Sequence, residues 1–255
     1  NSRKTKAHVS SPLQIVAMQA SEKAVILAHI SERAERYDEM AKHMKDRVQM
    51  GTPLSAEERD LLSAAYKGAL AGRRQAVRVA AINEQQEANE GNQERAALAQ
   101  GYRTKVEAEL QGICEEVIGL LKDDLVPKAE TGEPKAFYLK MQGDYCRYQV
   151  ESVRGAPREK VVQEALEAYS QAKAEAEGHL LTTSPVRLGI ALNFSVFQHE
   201  VLGATSGAIA TAEEALGSAN RDVANMPEEA VRDASLNMQL LQDNLTLWHQ
   251  AQQQA

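Results

Sequence analysis

Clusters of helix-breaking residues interrupt this chain at intervals, and the long stretches between them contain no Pro and only isolated Gly residues. Breaks fall at residues 51–53, 90–92, 127–134 and 155–157, and again near Pro185 and Pro227. Between them Ala, Glu, Gln, Leu, Lys and Arg dominate, and only 4% of the residues are aromatic. These are strong helix formers, whereas the β-branched and aromatic residues that favour strands are sparse. The sequence therefore predicts an all-α protein of nine antiparallel helices without a credible strand.

Local start signals place several helix boundaries. Ser55 and Glu58 form a capping box, which predicts a helix that continues to about Asn89. Ser184 precedes Pro185, a pair typical of an N-cap and a first helical position. The nine predicted helices span approximately residues 21–34, 37–50, 55–89, 93–125, 135–153, 158–181, 185–203, 207–223 and 228–250.

The chain shows no fixed-period repeat and no shift in composition that would divide it. We therefore expect a single domain over residues 21–250. Residues 1–20 are expected to form a flexible N-terminal extension, since their start is polar and basic. The Gln-rich residues 251–255 are expected to form a disordered tail.

Charge and cysteine usage narrow the class of protein. The formal net charge of −7 argues against a general nucleic-acid binder, which usually carries a basic surplus. Cys114 and Cys146 belong to no CxxC motif, which indicates two packed thiols in a reducing, intracellular compartment. No run approaches the roughly 20 apolar residues of a membrane span. An acidic protein with a local basic cluster suits a specific anionic ligand.

Lys67 and Arg74 form one candidate anion site. They are seven residues apart, so two helical turns place both cations on the same face. Gly68 and Gly72 lie beside them, although each glycine costs a helix about 1 kcal/mol. Tolerating that cost predicts close approach of another element or a ligand. The alternative is an ordinary solvated helix face.

A second cluster lies on a later helix. Lys140, Asp144 and Tyr148 follow at steps of four, and Arg147 comes three residues after Asp144. If this helix meets the first, three cations and a phenol would surround a dianion such as a phosphate group, which carries about −1.5 to −2 charge. The alternative is an intrahelical network contributing about 0.2–0.5 kcal/mol per pair. A carboxylate in such a network can also orient the cations.

Two further helices each carry an Asn among apolar residues. Asn193, Val196 and Glu200 are spaced i, i+3 and i+7, and a buried amide is costly unless both of its ends are satisfied. Such an amide can pair with the backbone of an extended peptide, or make a local helix contact. The last helix carries a largely apolar stripe that consists of Leu236, Leu240, Asn244, Leu247 and Trp248. Such a stripe is either part of the core or one side of a peptide groove, and Trp248 is accordingly a core residue or a peptide anchor.

Signals for catalysis are poor. The six histidines show no HExxH spacing, and neither a GxSxG motif nor a phosphate-binding glycine loop is present. Cys146 beside Arg147 allows a lowered thiol pKa, but a buried structural thiol is the simpler interpretation. We therefore predict a protein that is not an enzyme and uses no metal and no cofactor.

Several long segments carry a resemblance to a known family. They are residues 34–41, 61–67 with 73–74, 137–148, 185–197 and 238–248. In this order, and over roughly residues 21–249, the chain resembles the 14-3-3 family.

The resemblance implies a cup-shaped subunit with a concave amphipathic groove. In such a subunit, residues 21–126 would supply the dimerising helices and the groove floor, and residues 134–250 the groove wall. The implied function is that of a cytoplasmic adaptor, with the nucleus as a second location. It would bind phosphoserine or phosphothreonine peptides of client proteins and act as a homodimer or as a heterodimer with a paralogue. The alternative is a phosphate-independent scaffold or chaperone for amphipathic segments.

The resemblance also implies roles for individual residues. Those implied to bind phosphate are Lys67, Arg74, Arg147 and Tyr148. Those implied to bind the peptide are Lys140, Leu192, Asn193, Val196, Glu200, Leu236, Leu240, Asn244, Leu247 and Trp248. Those implied at the dimer interface are Ile30, Ala34, Arg36, Glu39, Ala76, Val79, Tyr102, Lys105 and Glu109, with Arg36 paired to Glu109 and Glu39 paired to Lys105 of the second subunit.

The chain departs from the family pattern at a few positions. Cys146 replaces a usual Tyr, Val77 replaces a usual Trp, and Gln198 with His199 replaces a Tyr pair. Gly68 and Gly72 stand in a stretch where bulkier aliphatic residues are usual. We expect these changes to loosen the third helix, weaken the dimer or alter peptide preference.

Overall fold

The computed structural model describes residues 12–223 and 227–253; for residues 12–19 and for residue 230 it describes the backbone alone. Within these residues the chain forms nine α-helices and no β-strand, which confirms the predicted fold class. The helices are α1 (Pro12–Arg33), α2 (Tyr37–Gln49), α3 (Ala56–Asn89), α4 (Gln93–Leu120), α5 (Glu133–Val150), α6 (Ala156–His179), α7 (Pro185–Glu200), α8 (Thr205–Val223) and α9 (Glu228–Gln253).

Most helix ends differ from the sequence prediction by a few residues, and three examples follow. Helix α1 begins at Pro12, because proline is well suited to a first helical position. Helix α9 continues to Gln253. Helix α4 ends at Leu120, and a π-helical turn over Leu121–Leu125 follows it. Residues 1–11 of the expected extension and residues 254–255 of the expected tail lie outside the described residues. The predicted domain boundaries stay predictions.

The chain divides into two compact units, residues 1–78 and residues 79–255. The border falls within α3, between Arg78 and Val79. The first unit thus holds α1, α2 and the first two thirds of α3. The second unit holds the rest of α3 and all later helices.

In the first unit, α1 packs against α2, and polar bonds join α2 to the start of α3. Arg47 on α2 is buried and donates hydrogen bonds to both carboxylate oxygens of Glu58, at 2.6 and 3.0 Å. It also bonds Thr52 and the Pro53 carbonyl in the connecting segment. The capping box is confirmed, since Ser55 N–H donates to Glu58 and Glu58 N–H donates to the Ser55 hydroxyl.

The second unit is built around two apolar clusters. One joins α7, α8 and α9 through residues such as Leu188, Ala212 and Leu241. The other joins α5, α6 and α7 through small side chains, including Ala136 and Ala172, which let these helices approach closely. The π-helical turn keeps Leu121 and Leu125 buried at the edge of this unit. These contacts fix α5, α6 and α7 side by side.

Candidate functional site

The four residues predicted to bind phosphate are divided between the two units. In the first unit, Lys67 is exposed and Arg74 half-buried on α3. Their neighbour Arg73 donates to the Asp38 carboxylate at 2.8 Å and to the Ala69 carbonyl at 2.8 Å. Arg73 therefore fastens α3 to α2. The meeting of Lys67 and Arg74 with the cations of the second unit stays a prediction.

The two glycines beside Lys67 have different surroundings. A Cβ added to Gly68 would collide with the ring of Tyr37 on α2, so this glycine permits the close approach predicted from the sequence. A Cβ added to Gly72 would meet no atom of the described chain within 4 Å. The close approach predicted from the helix cost is thus present at Gly68, whereas at Gly72 no neighbouring element among the described residues requires the glycine.

In the second unit, the carboxylate of Asp144 joins side chains from three helices. Its Oδ2 accepts a hydrogen bond from Lys140 Nζ at 2.7 Å. Its Oδ1 accepts from the Tyr169 hydroxyl on α6 at 2.6 Å and from Asn193 Nδ2 on α7 at 2.7 Å. Asp144 itself is buried. A buried carboxylate with three donors satisfies the rule that buried charges need partners.

Two glycines make room for this network. A Cβ added to Gly143 would lie 2.8 Å from the ring of Tyr169, which is closer than such atoms can approach. A Cβ added to Gly189 on α7 would lie 3.3 Å from Lys140 Cε. The ring of Tyr169 is also stacked on Phe194, with centroids 5.5 Å apart. Tyr169 is therefore held on both sides.

Arg147 lies next to this network, and its side chain is only 11% exposed. Its contacts with other described side chains are long. Nε lies 3.5 Å from the Tyr169 oxygen, and Nη1 lies 4.0 Å from the Glu200 carboxylate. Its guanidinium also lies over the Tyr148 ring, 4.7 Å from the centroid. Arg147 is thus largely desolvated without a close ion pair among the described residues.

The network shifts the titration of its members. Burial alone would raise the pKa of Asp144, but the charges of Lys140 and Arg147 and the hydrogen bonds of Lys140 and Tyr169 lower it below its usual value. Burial and the Asp144 charge raise the pKa of Tyr169. Burial works against the charged form of Arg147, yet Tyr169 and Asp144 raise its pKa overall. At neutral pH the site therefore contains a carboxylate, a neutral phenol and a guanidinium.

The predicted peptide-binding residues on α7 and α9 have mixed surroundings. Leu192 and Val196 are partly buried against the cluster of α7, α8 and α9, and Asn244 is half-buried. Trp248 is a core residue of this cluster and packs on the His199 ring, with centroids 5.2 Å apart. In contrast, large apolar side chains of α9 are exposed: Leu236 by 68%, Leu240 by 40% and Leu247 by 61%.

The residues predicted at the dimer interface are mostly exposed in the single chain. Ala34, Lys105 and Glu109 are exposed and Ala76 is half-buried. Arg36 and Glu39 were predicted to pair with Glu109 and Lys105 of the second subunit. Within the single chain they bond each other, with Arg36 Nε 2.7 Å from Glu39 Oε2. The large apolar members are also exposed: Ile30, Val79 and Tyr102.

Cys146 is buried on α5. Burial, with a smaller effect of the Glu164 charge, raises the pKa of its thiol to about 12. The structural interpretation of this thiol is therefore favoured over an activated one.

Two further findings concern the described residues as a whole. No group of three or more His, Cys, Asp or Glu side chains there is arranged to hold a metal ion. None of the helices in the described ranges combines the length and apolar character that a bilayer crossing requires.

Tyr169 is the member of the site that sequence reasoning missed. It lies 25 residues from Asp144 along the chain, so no local spacing joins the two. Gly143 was the available signal, because this glycine inside a helix lies where the Tyr169 ring approaches closely, although a glycine alone does not identify such a neighbour.

Comparison with known proteins identifies the family. The model of the 14-3-3 protein family matches residues 27–249. The chain belongs to the 14-3-3 family. It is 45% identical to a 14-3-3 protein homolog of Candida albicans over 227 residues, which cover 89% of this chain and 86% of that protein. It is 47% identical to 14-3-3 protein beta/alpha of Xenopus tropicalis, over 87% of this chain and 90% of that protein.

Membership gives the general function of the chain. Proteins of the 14-3-3 family are adaptors that bind client proteins and regulate signalling, and they are known as non-enzymatic. The matched segment contains all of α2 to α8 and hence most of both units.

Proposed function

We propose that this 14-3-3 protein binds phosphoserine and phosphothreonine peptides through a phosphate site formed by Lys67, Arg74, Arg147 and Tyr148. The observation that carries the proposal is the state of Arg147. A guanidinium withdrawn from water is costly unless an anion pairs with it closely. A phosphate group would supply that partner, with oxygens suited to the planar donors of arginine.

The surroundings of Arg147 support a peptide as the carrier of the phosphate. Lys140 and Asn193 are joined to the same carboxylate, so polar groups for a peptide backbone lie within one network. Leu192, Val196 and the exposed leucines of α9 provide apolar side chains for flanking residues. We propose that Glu200, Asn244 and Trp248 complete this surface, with Trp248 acting mainly as its support.

Binding of matched peptides tests the proposal. A synthetic phosphoserine peptide that binds the wild type and its unphosphorylated twin are titrated by calorimetry against Arg147→Ala and Arg74→Ala. We expect each variant to lose about 10- to 100-fold in affinity for the phosphopeptide, since bonds to charged groups contribute about 1.5–3 kcal/mol. Arg158→Ala, a half-buried arginine at the start of α6, is the matched control. Unchanged affinity in Arg147→Ala, with normal circular dichroism, would refute the site.

A second candidate function is phosphate-independent binding of amphipathic segments. The observation that favours it is the exposure of Leu236 and Leu247, because exposed apolar patches mark interaction surfaces. In that case the phosphorylated and unphosphorylated peptides would bind equally. Leu236→Ser together with Leu247→Ser would then weaken both.

We also propose that the protein acts as a homodimer, or as a heterodimer with a paralogue, in the cytoplasm and the nucleus. Each unit exposes large apolar side chains, and this supports the proposal that a second subunit covers them. Ile26 and Ile30 lie on the first unit, whereas Ile82, Leu98 and Tyr102 lie on the second. Sedimentation equilibrium measures the assembly, and we expect Leu98→Glu to shift it towards the monomer. A monomeric wild type at micromolar concentration would contradict the proposal.

A further inference from the structure

The amide of Asn193 has one orientation that the network permits. An ionised carboxylate only accepts hydrogen bonds, so the atom of the Asn193 amide 2.7 Å from Asp144 Oδ1 must be the nitrogen. The lowered pKa of Asp144 keeps the carboxylate ionised at neutral pH. The amide oxygen is consequently turned away from Asp144. No described residue donates a hydrogen bond to this oxygen.

Tyr169 supports this arrangement from α6. Its hydroxyl donates to the same Oδ1 that accepts from Asn193, at 2.6 Å. Its ring cannot shift easily, because Gly143 lies against one side and Phe194 against the other. Lys140 holds the second carboxylate oxygen. Each Asp144 oxygen is therefore fixed in position before any ligand binds.

We propose that Asp144, supported by Tyr169, is a positioning residue that fixes the Asn193 amide with its oxygen available to accept a backbone N–H of a bound peptide. The inference rests on the proposed function, and it adds a preference that a phosphate site alone does not have. The ligand must offer an N–H at one particular backbone position. A peptide that has proline or an N-methylated residue at that position would bind about tenfold more weakly.

A backbone N-methyl scan tests the preference. A phosphoserine peptide that binds the wild type is made in a series in which each member carries one backbone N-methyl group, which removes one donor. We expect one position at which methylation weakens wild-type binding by about tenfold, the value of one hydrogen bond. In Asn193→Ala the same methyl group should have almost no effect.

Asp144→Asn separates positioning from general support of the fold. A neutral amide at position 144 can both donate and accept, so the Asn193 amide would adopt either orientation. The ratio of affinities for the unmethylated and methylated peptides should fall towards one. A purely structural role would weaken both peptides alike and leave the ratio unchanged, which would overturn the inference. Glu167→Gln, an exposed carboxylate on α6, is the control.

Tyr169→Phe keeps the inference testable should Asp144→Asn fail to fold. Without the phenol hydrogen bond, the pKa of Asp144 should rise. As the pH is lowered, the difference in affinity between the unmethylated and the methylated peptide should then disappear at a higher pH than in the wild type. The same pH of loss in both proteins would exclude a supporting role of Tyr169.

The ligand-free protein gives a readout that does not depend on the proposed function. The side-chain ¹⁵N–¹H resonances of Asn193 should show one proton strongly shifted by the carboxylate, and Asp144→Asn should abolish the shift. If the wild type binds no phosphopeptide, the proposed function fails, and this spectrum still tests the orientation of the amide. Unaltered Asn193 resonances in Asp144→Asn would refute the positioning role.

Discussion

Arg47 in the first unit and Asp144 in the second are both buried charged side chains with several hydrogen bonds, and their surroundings differ in which polar groups they leave unused. Arg47 in the first unit makes five bonds, to Glu58, Thr52 and Pro53, which equals the number of N–H donors in a guanidinium. Asp144 in the second unit accepts three bonds, one at Oδ2 and two at Oδ1, but its partners do not use all of their own polar atoms in these bonds. Lys140 and Asn193 keep further polar atoms beyond their bonds to it. We call Arg47 with Glu58, Thr52 and Pro53 the closed centre, because its bonds only stabilise the fold. We call Asp144 with Lys140, Tyr169, Asn193 and the neighbouring Arg147 the open centre, because it also leaves polar groups for a ligand.

The charge of the two units sharpens the contrast. Residues 1–78 contain 14 basic and 9 acidic residues, a net charge of +5, and residues 79–255 contain 15 basic and 27 acidic residues, a net charge of −12. Arg147 therefore lies in an acidic unit, where a mobile cation would pair with a surface carboxylate. Its burial among Tyr148 and Tyr169 leaves only a long contact with Glu200. Arg147 thus stays available to pair with an anionic ligand.

Removing the closed centre should have the largest effect on stability. Arg47→Ala leaves the Glu58 carboxylate without its main partner, and breaking a buried ion pair costs about 3–5 kcal/mol. Urea unfolding followed by circular dichroism measures the loss. The fraction that remains folded should bind phosphopeptide with unchanged affinity, because Arg47 supports the fold and no ligand. A loss of affinity in the folded fraction would erase the distinction between the two centres.

Glycine substitutions should give the next largest effects, with opposite signs. Gly143→Ala places a Cβ against the confined Tyr169 ring, and we expect a loss of about 1–2 kcal/mol after allowing for the better helix propensity of Ala. Gly72→Ala meets open space, and we expect a gain of about 1 kcal/mol. Thermal unfolding measures both. Equal changes in the two variants would contradict the packing described for Tyr169.

Acid should weaken both centres. The pKa of Asp144 is lowered in the folded state, and so is that of Glu58, where burial is outweighed by Arg47 and Ser55. A carboxyl group with a lowered folded pKa contributes stability above its unfolded pKa, near 4, and loses it as the pH falls through the folded value. We therefore expect unfolding free energy to decline below about pH 4. Arg47→Ala should show a shallower decline, and an identical slope would argue against the Glu58 contribution.

The smallest effect concerns Cys146. Its burial and its pKa of about 12 predict a rate of alkylation by iodoacetamide at pH 8 close to zero in the native protein. Reaction should begin only after unfolding in urea. Peptide mapping by mass spectrometry distinguishes Cys146 from Cys114. Rapid native labelling of Cys146 would show that the open centre is also open to solvent at this helix.

The helices were predictable because their signals are local. The capping box at Ser55 and Glu58 uses residues three apart, and both of its hydrogen bonds are present. The π-helical turn after Leu120 has no such signal. It keeps Leu121 and Leu125 buried, and Lys122 bonds Glu164 on another helix at 2.7 Å. Tertiary contacts of this kind are absent from any short window of sequence.

The candidate site shows the same limit. The bond between Lys140 and Asp144 follows from their spacing of four residues. The bonds from Tyr169 and Asn193 join residues 25 and 49 positions from Asp144, so only the folded chain displays them. The family resemblance supplied the role of Asn193 but not the carboxylate that orients it. The sequence thus predicts candidate binding groups, whereas the side chains that hold those groups in place were not predictable from it.

The bonds of Asp144 also have a mechanical consequence. Because one carboxylate ties α5 to α6 and α7, none of these three helices can slide past another without breaking a bond in a dry environment. These bonds therefore make the three helices a stiff surface. If clients bind at the proposed site, their own flexible segments must adapt to the single backbone course that this surface accepts.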